Sequence, residues 1–195
     1  MEIRQYKVYK FAELSEDGRK KAVEKLYDIN VDHDWWDCDY EDAKECLAIL
    51  GFSIDKIFFS GFSSQGDGAC FEGKWDASDY KPTIKKHAPK DKELARISAG
   101  LKAIVKKYPD AGMRVKQSGH YMHKYCTSFE VWDNSDDSCN SDANCEEEII
   151  ELSRDAMEWI YRRLEEQYYY LTSEKVIIET IEANDYDFTE DGKID

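Results

Sequence analysis

Residues 52–75 read as two strands joined by nine residues that hold no helix, and this constrains the fold more than any other feature of the chain. Phe52 to Phe59 is a strand-like run. Ala69, Phe71, Gly73 and Trp75 alternate with Cys70, Glu72 and Lys74, the period of a half-buried strand. The connection Ser60-Gly61-Phe62-Ser63-Ser64-Gln65-Gly66-Asp67-Gly68 is too short for a crossover, so the two strands are expected to be antiparallel neighbours. The pattern recurs downstream. Met113, Val115 and Gln117 alternate with Arg114 and Lys116, and Ser118-Gly119 can supply a hairpin turn. A long strand is then expected over about His120–Trp132, with Tyr121, His123, Tyr125, Phe129 and Val131 on one face. Strands that follow one another without a helix favour an antiparallel α+β sheet over a parallel, doubly wound one.

Helical signals flank these strands. Ser15 is placed as an N-cap, with Glu16 and Asp17 in the first turn at the positive helix end, and Ala22, Leu26 and Ile29 as an apolar stripe. A second helix is expected over about 35–50, stopped by Gly51. Pro82 and Pro89 mark residues 76–90 as a connection. Asp91 caps a helix whose buried face is Leu94, Ile97, Leu101, Ile104 and Val105, ending before Pro109. Ile149, Leu152, Ala156, Ile160 and Leu164 step at helical spacing through a long helix over about 145–170. Thr172 is placed as the cap of a last helix through Ala183, and Ile3–Tyr9 as a first strand. The expected fold is α+β: an antiparallel sheet of about four or five strands packed with four or five helices. A single domain over 1–184 is followed by an acidic C-terminal tail, 185–195, which Tyr186 and Phe188 can dock.

The chain of 195 residues carries 42 Asp and Glu against 27 Lys and Arg, a formal net charge of −15. Such a charge argues against direct binding of nucleic acid and against attraction to an anionic membrane. It is unevenly spread: residues 74–116 hold twelve Lys and Arg against five Asp and Glu, a net of +7, which fits one mixed-charge helix and its flanks. No run approaches the roughly 18–20 apolar residues that span a bilayer. The N-terminus lacks the apolar stretch of a secretory leader, so a cytoplasmic protein is the expectation. Cys38, Cys46, Cys70, Cys126, Cys139 and Cys145 form no Cys-x-x-Cys pair and read as free thiols in a reducing compartment.

Each constellation that suggests chemistry has an ordinary reading beside it. The glycines of the 60–68 loop stand where a backbone turns tightly or approaches a ligand, but no Gly-Lys-Ser/Thr follows, so it is not a phosphate-binding P-loop. It is either a structural hairpin or a partner-binding loop. Cys70 with His120 or His123 as base, and Asp67 or Glu72 as orienter, has the composition of a thiol nucleophile without a spacing that demands one. On a strand, His120 and His123 point to opposite faces, and with Cys126 they do not complete a zinc set. Asp187, Thr189, Asp191 and Gly192 follow the opening of an EF-hand loop, but Asp195 is only its ninth position, short of the bidentate Glu at the twelfth. No catalytic residue, metal or cofactor is assigned. Asp28, Asp32, Asp34, Asp37, Asp39, Glu41, Asp42 and Glu45 form an acidic block opposed only by Lys44, with Trp35 and Trp36 inside it. The tryptophans suit either a partner surface, where aromatics anchor and acids steer, or a core with one ring half-exposed.

Asp34-Trp35-Trp36-Asp37, Tyr40-Glu41-Asp42-Ala43-Lys44, the run Ile57 to Gly73 and the run Ile177 to Gly192 together make the chain resemble a widespread family of small acidic proteins of tailed phages and prophages. Members are mostly without an assigned activity, and some are labelled antitoxin-like. The likeness covers nearly the whole chain. It implies a mobile-element protein acting inside a bacterial cell, with no catalytic residue set to carry over. In that setting the expectation is a binding protein that inhibits a host defence factor, anti-CRISPR-like. Its carboxylates would stand in for phosphates at the basic nucleic-acid-binding surface of a host protein. The candidate partner-binding residues are Asp32, Asp34, Trp35, Trp36, Asp37, Asp39, Glu41, Asp42, Phe62, Gln65, Asp67, Asp133, Asp136 and Asp137. Two alternatives stay open: an antitoxin-like module that neutralises a toxin, and a small thiol-dependent enzyme centred on Cys70.

Overall fold

A computed structural model describes residues 7–133 and 143–195 of the chain. The elements are β1 (Tyr9–Lys10), α1 (Glu16–Lys25), α2 (Asp37–Ile49), β2 (Phe52–Ser60), β3 (Gly68–Asp76), α3 (Ile84–His87), α4 (Lys92–Lys107), β4 (Ala111–Gln117), β5 (Thr127–Asp133), α5 (Ala143–Leu171), α6 (Glu174–Asn184) and β6 (Asp187–Phe188). The protein is α+β; the described residues form a four-stranded antiparallel sheet, a two-stranded sheet and six α-helices. The chain divides into two compact units: a central one, Asp37–Glu165, and a terminal one, Met1–Trp36 with Glu166–Asp195.

In the central unit the strands lie in the order β2-β3-β4-β5, every pair antiparallel. Ile57 opposes Phe71, Trp75 opposes both Phe52 and Met113, and Val115 opposes Phe129. Residues opposite one another share a face, so alternation along each strand assembles one apolar surface. Phe52, Ile57, Phe71, Trp75, Met113 and Val115 are buried on it. Each such side chain stabilises the fold by roughly 1.5–3 kcal/mol. α5 lies against this face, where Ser153 Oγ sits 3.3 Å from Met113 Sδ and donates to the Ile149 carbonyl at 2.7 Å. Arg96–Asp155 at 2.8 Å and Arg162–Glu93 at 3.1 Å tie α4 to α5. Asp91 caps α4 as expected, taking the Glu93 and Leu94 N–H groups. α2 ends as expected at Gly51, whose φ of 91° suits a residue without Cβ, and the Trp75 indole donates to the Leu50 carbonyl left over by the helix.

In the terminal unit Ser15 caps α1 as expected, accepting the Gly18 N–H at 3.1 Å. Phe11, Leu14, Ala22, Ile177, Ile181 and Phe188 form its core, with Leu26, Ile29 and Tyr186 packed against it. β1 pairs with β6, Tyr9 opposite Phe188. The segment that opens like an EF-hand loop is a hairpin instead. Phe188 bridges Ile194, Asp195 N–H donates to the Asp187 carbonyl, and Gly192 N–H to the Thr189 carbonyl. Asp187 and Asp191 are used as ion-pair partners of Lys10 and Lys25.

Several boundaries differ from the sequence reading. β5 starts at Thr127, not near His120, because residues 118–126 form a loop closed by Ser118 N–H on the Cys126 carbonyl. Trp35 and Trp36 precede α2 rather than opening it. Ser173, not Thr172, takes the N-cap position of α6, since Thr172 Oγ1 is turned back onto the Tyr168 carbonyl at the end of α5. The connection at 76–90 contains the short helix α3. Of the first strand only Tyr9 remains, paired within β1; residues 3–6 lie outside the described part of the chain.

Candidate partner-binding site

The acidic block is split by the fold. Asp32, Asp34, Trp35 and Trp36 belong to the terminal unit, and Asp37, Asp39, Glu41 and Asp42 to the central one. Asp32 and Asp34 are exposed, Asp32 paired with the neighbouring His33 ring at 3.2 Å. Trp35 and Trp36 are half-buried, their rings edge-on at 5.7 Å, with Trp35 6.0 Å from the Tyr168 ring. These tryptophans therefore pack against aromatic neighbours rather than standing out as free anchors.

Along α2 the helical period sorts the acids into two faces. Asp39 and Asp42 turn to Arg163, which reaches Asp42 Oδ2 at 2.9 Å and Asp39 Oδ1 at 4.0 Å. Burial raises the Asp39 carboxyl above its usual value, against the opposing pull of Arg163. Asp37, Glu41 and Glu45 face outward and are exposed. No Lys, Arg or His nitrogen of the described residues lies within 4.0 Å of their carboxylates. Four residues of helix advance about 6 Å, so these three side chains form a regular row along one stripe.

The 60–68 loop is built from its own aspartate. Asp67 Oδ2 accepts the Ser63 and Ser64 N–H groups at 2.9 and 2.6 Å, which spends the carboxylate on the turn. Phe62 sits between Phe59 and Tyr161, ring centroids 5.8 and 5.5 Å away, and the Tyr161 hydroxyl donates to the Gly61 carbonyl at 3.3 Å. Gln65 alone of the three nominated loop residues is exposed. Because β2-β3 and β4-β5 turn at the same sheet end, the 60–68 and 118–126 loops meet there. A Cβ on Gly68 would lie 2.7 Å from the His123 ring, so only glycine admits that approach. Tyr121 and Tyr125 of the second loop are 56% and 62% exposed. The Arg154 guanidinium lies 5.0 Å over the Tyr125 ring.

Cys70 is a core residue. It is fully buried, and burial first, then Cys126 and Glu72, pushes its thiol up to about 12. The orienters suggested for it are engaged elsewhere: Asp67 in its loop, and Glu72 Oε1 accepting the Gln117 N–H at 3.2 Å. A thiol held protonated at neutral pH is a poor nucleophile. Asp133 ends β5; its side chain, and Asp136 and Asp137 altogether, lie outside the described part of the chain.

Sequence reasoning missed Arg163, which decides which acids of α2 are neutralised. It also missed the pairing of Asp42 and Cys46 with His87. The i, i+4 spacing of Asp42 and Cys46 is visible in the sequence; the arrival of His87 and Arg163, 45 and 121 residues from Asp42, is not. Among the described residues, no helix is long and apolar enough to cross a membrane. No curated protein and no solved structure matches the chain. A family profile matches residues 35–174, which take in the whole central unit and most of the sequence, and on that match the chain belongs to the family described as Domain of unknown function (DUF8835).

Proposed function

We propose that the protein binds the basic, nucleic-acid-binding surface of a host-cell protein and blocks it, as an inhibitor of a defence nuclease of the anti-CRISPR kind. The observation that carries this reading is the outward row Asp37, Glu41 and Glu45 on α2, exposed and without a cationic partner among the described residues. Like charges at i, i+4 destabilise a helix by about 0.2–0.5 kcal/mol per pair, so the row does not serve the helix. Only Asp37, in the first turn, gains from the helix dipole. A rigid row of carboxylates in a chain of charge −15 attracts a cationic groove from about a Debye length away, roughly 8 Å at physiological salt. Such attraction speeds encounter and weakens as salt rises. The bacterial setting comes from the resemblance to phage and prophage proteins.

The test is a cleavage assay. Purified protein is mixed with each member of a panel of RNA-guided nucleases and a labelled target DNA, at low and at high salt. The expected result is protection of the DNA from at least one nuclease at low salt, weakening as salt is raised. Full cleavage by every nuclease at low salt would remove the basis of the reading.

A further inference from the structure

The inward face of α2 carries a different chemistry from the outward row. Asp42 and Cys46 are four residues apart, so their side chains lie one above the other on one stripe of the helix. α3 brings His87 to them. A carboxylate oxygen of Asp42, Cys46 Sγ and a ring nitrogen of His87 all lie within 4.8 Å of one another. No other group of three such donors converges among the described residues. The geometry points to a transition-metal site of the zinc class, with Asp42, Cys46 and His87 as three protein ligands and a fourth position open to water or another ligand.

Three features support it. The donor set joins one thiolate, one imidazole and one carboxylate, a combination that suits zinc and its cobalt substitute rather than magnesium or calcium. Tetrahedral bonds of about 2.0–2.3 Å set donor atoms roughly 3.3–3.8 Å apart, so closing from 4.8 Å needs about an ångström of side-chain rotation. His87 is exposed at the end of α3 and is free to supply that rotation, while Cys46 is buried in the helix packing. Secondly, the surroundings are negative: burial first, then Asp42, pushes the Cys46 thiol up to about 11, with Asp91 and Glu45 adding to it and Arg163 opposing, and the carboxylates that disfavour a bare thiolate favour a cation beside it. Thirdly, Arg163 reaches Asp42 Oδ2 at 2.9 Å, which helps to orient the carboxylate. Asp91 is not a fourth ligand: its oxygens accept the Glu93 and Leu94 N–H groups and the Trp159 indole.

Binding breaks the Cys46 S–H bond and forms a sulfur–metal bond, with the proton passing to water; no electron is transferred. His87 binds as the neutral imidazole. None of Asp37, Glu41 and Glu45 is a ligand here, so the cobalt titration and the cleavage assay can fail independently of one another.

The experiment is titration of cobalt(II) into the full-length, chelator-treated protein under reducing conditions, followed by absorbance. One equivalent is expected to give a thiolate-to-cobalt charge-transfer band and the strong visible bands of four-coordinate cobalt, and zinc is expected to abolish both. Cys46→Ser should lose the charge-transfer band. His87→Ala, at an exposed position that leaves the fold intact by circular dichroism, should weaken binding by about a hundredfold or more, beyond the 10–100-fold typical of losing an outer-shell contact. Cys38→Ser and Cys126→Ser should leave the spectrum unchanged. Absence of the bands in the wild type, or their persistence in His87→Ala at wild-type affinity, overturns the assignment.

Discussion

Both units of the molecule pair part of their acidic residues with Lys and Arg, and they differ in what those pairs hold and in how the remaining acids are arranged. The terminal unit is the more negative for its size, seventeen Asp and Glu against nine Lys and Arg, but many of its acids are engaged. Lys10 holds Asp185 and Asp187, Lys25 holds Asp191, and Lys21 holds Asp17. There the charge fastens a C-terminal hairpin to the N-terminal segment around a small apolar core. The central unit has twenty-five acids against eighteen bases and a large buried apolar core, and it leaves a row of three carboxylates exposed on α2. Net charge therefore does not locate a binding surface, and neither does the lack of a local cation by itself, since exposed Glu24, Asp28 and Asp34 of the terminal unit share it; the α2 acids differ in forming one regularly spaced row.

The sharpest way to break this comparison is to remove the central core. Trp75→Ala deletes a fully buried indole and its hydrogen bond to the Leu50 carbonyl, and should cost about 3–5 kcal/mol in urea unfolding. A loss below about 1 kcal/mol would mean the sheet face is not the main support. Next comes Phe188→Ala, which empties the centre of the terminal cluster and should cost about 3 kcal/mol. Hydrogen exchange should rise more in α1 and α6 than in β2 to β5; a uniform rise would dissolve the distinction between the units.

Smaller effects sharpen it. Asp67→Ala leaves two N–H groups of the 60–68 loop to solvent and should cost about 0.5–1.5 kcal/mol, with exchange rising at Ser63 and Ser64. The terminal clamps should respond to pH. Thr189 and then Lys25 lower the Asp191 pKa, and Lys21 lowers that of Asp17, so their contribution is present above the unfolded value of 3.8 and is lost as pH falls through the lower folded values. Asp187 and Asp185 raise the Lys10 pKa, so its contribution is complete below 10.5 and is lost as pH rises through the higher folded value. Protection factors at β1 and β6, exchange rates corrected for their intrinsic pH dependence, should therefore be highest between these limits; protection that does not change with pH would show that the clamps hold nothing.

What could be read in the sequence was what is local. Ser15 and Asp91 cap helices because the donors they satisfy lie two or three residues on, and the 52–75 hairpin follows from alternation and a short turn. Tyr121, His123 and Tyr125 misled because they alternate like a strand, while their backbone closes a loop through Ser118 and Cys126. The acids of the C-terminal segment read as a tail, yet Phe188 is fully buried, since its partners Phe11 and Ile177 are distant in sequence or on another element. In the site, the sequence reading nominates Asp37, Asp39, Glu41 and Asp42 together and leaves out Glu45; helical period alone separates Asp37, Glu41 and Glu45, but the neutralisation of Asp39 and Asp42 depends on Arg163 and is not visible in the sequence.

The central claim is that the α2 row recognises a basic surface, and affinity for an inhibited nuclease tests it most directly. Wild type and the triple variant Asp37→Lys, Glu41→Lys, Glu45→Lys, matched for melting temperature, would be titrated at low and at high salt. The expected result is a loss of about tenfold or more in the variant at low salt, narrowing as salt screens the wild-type attraction. Equal affinities for the two proteins at low salt would contradict it.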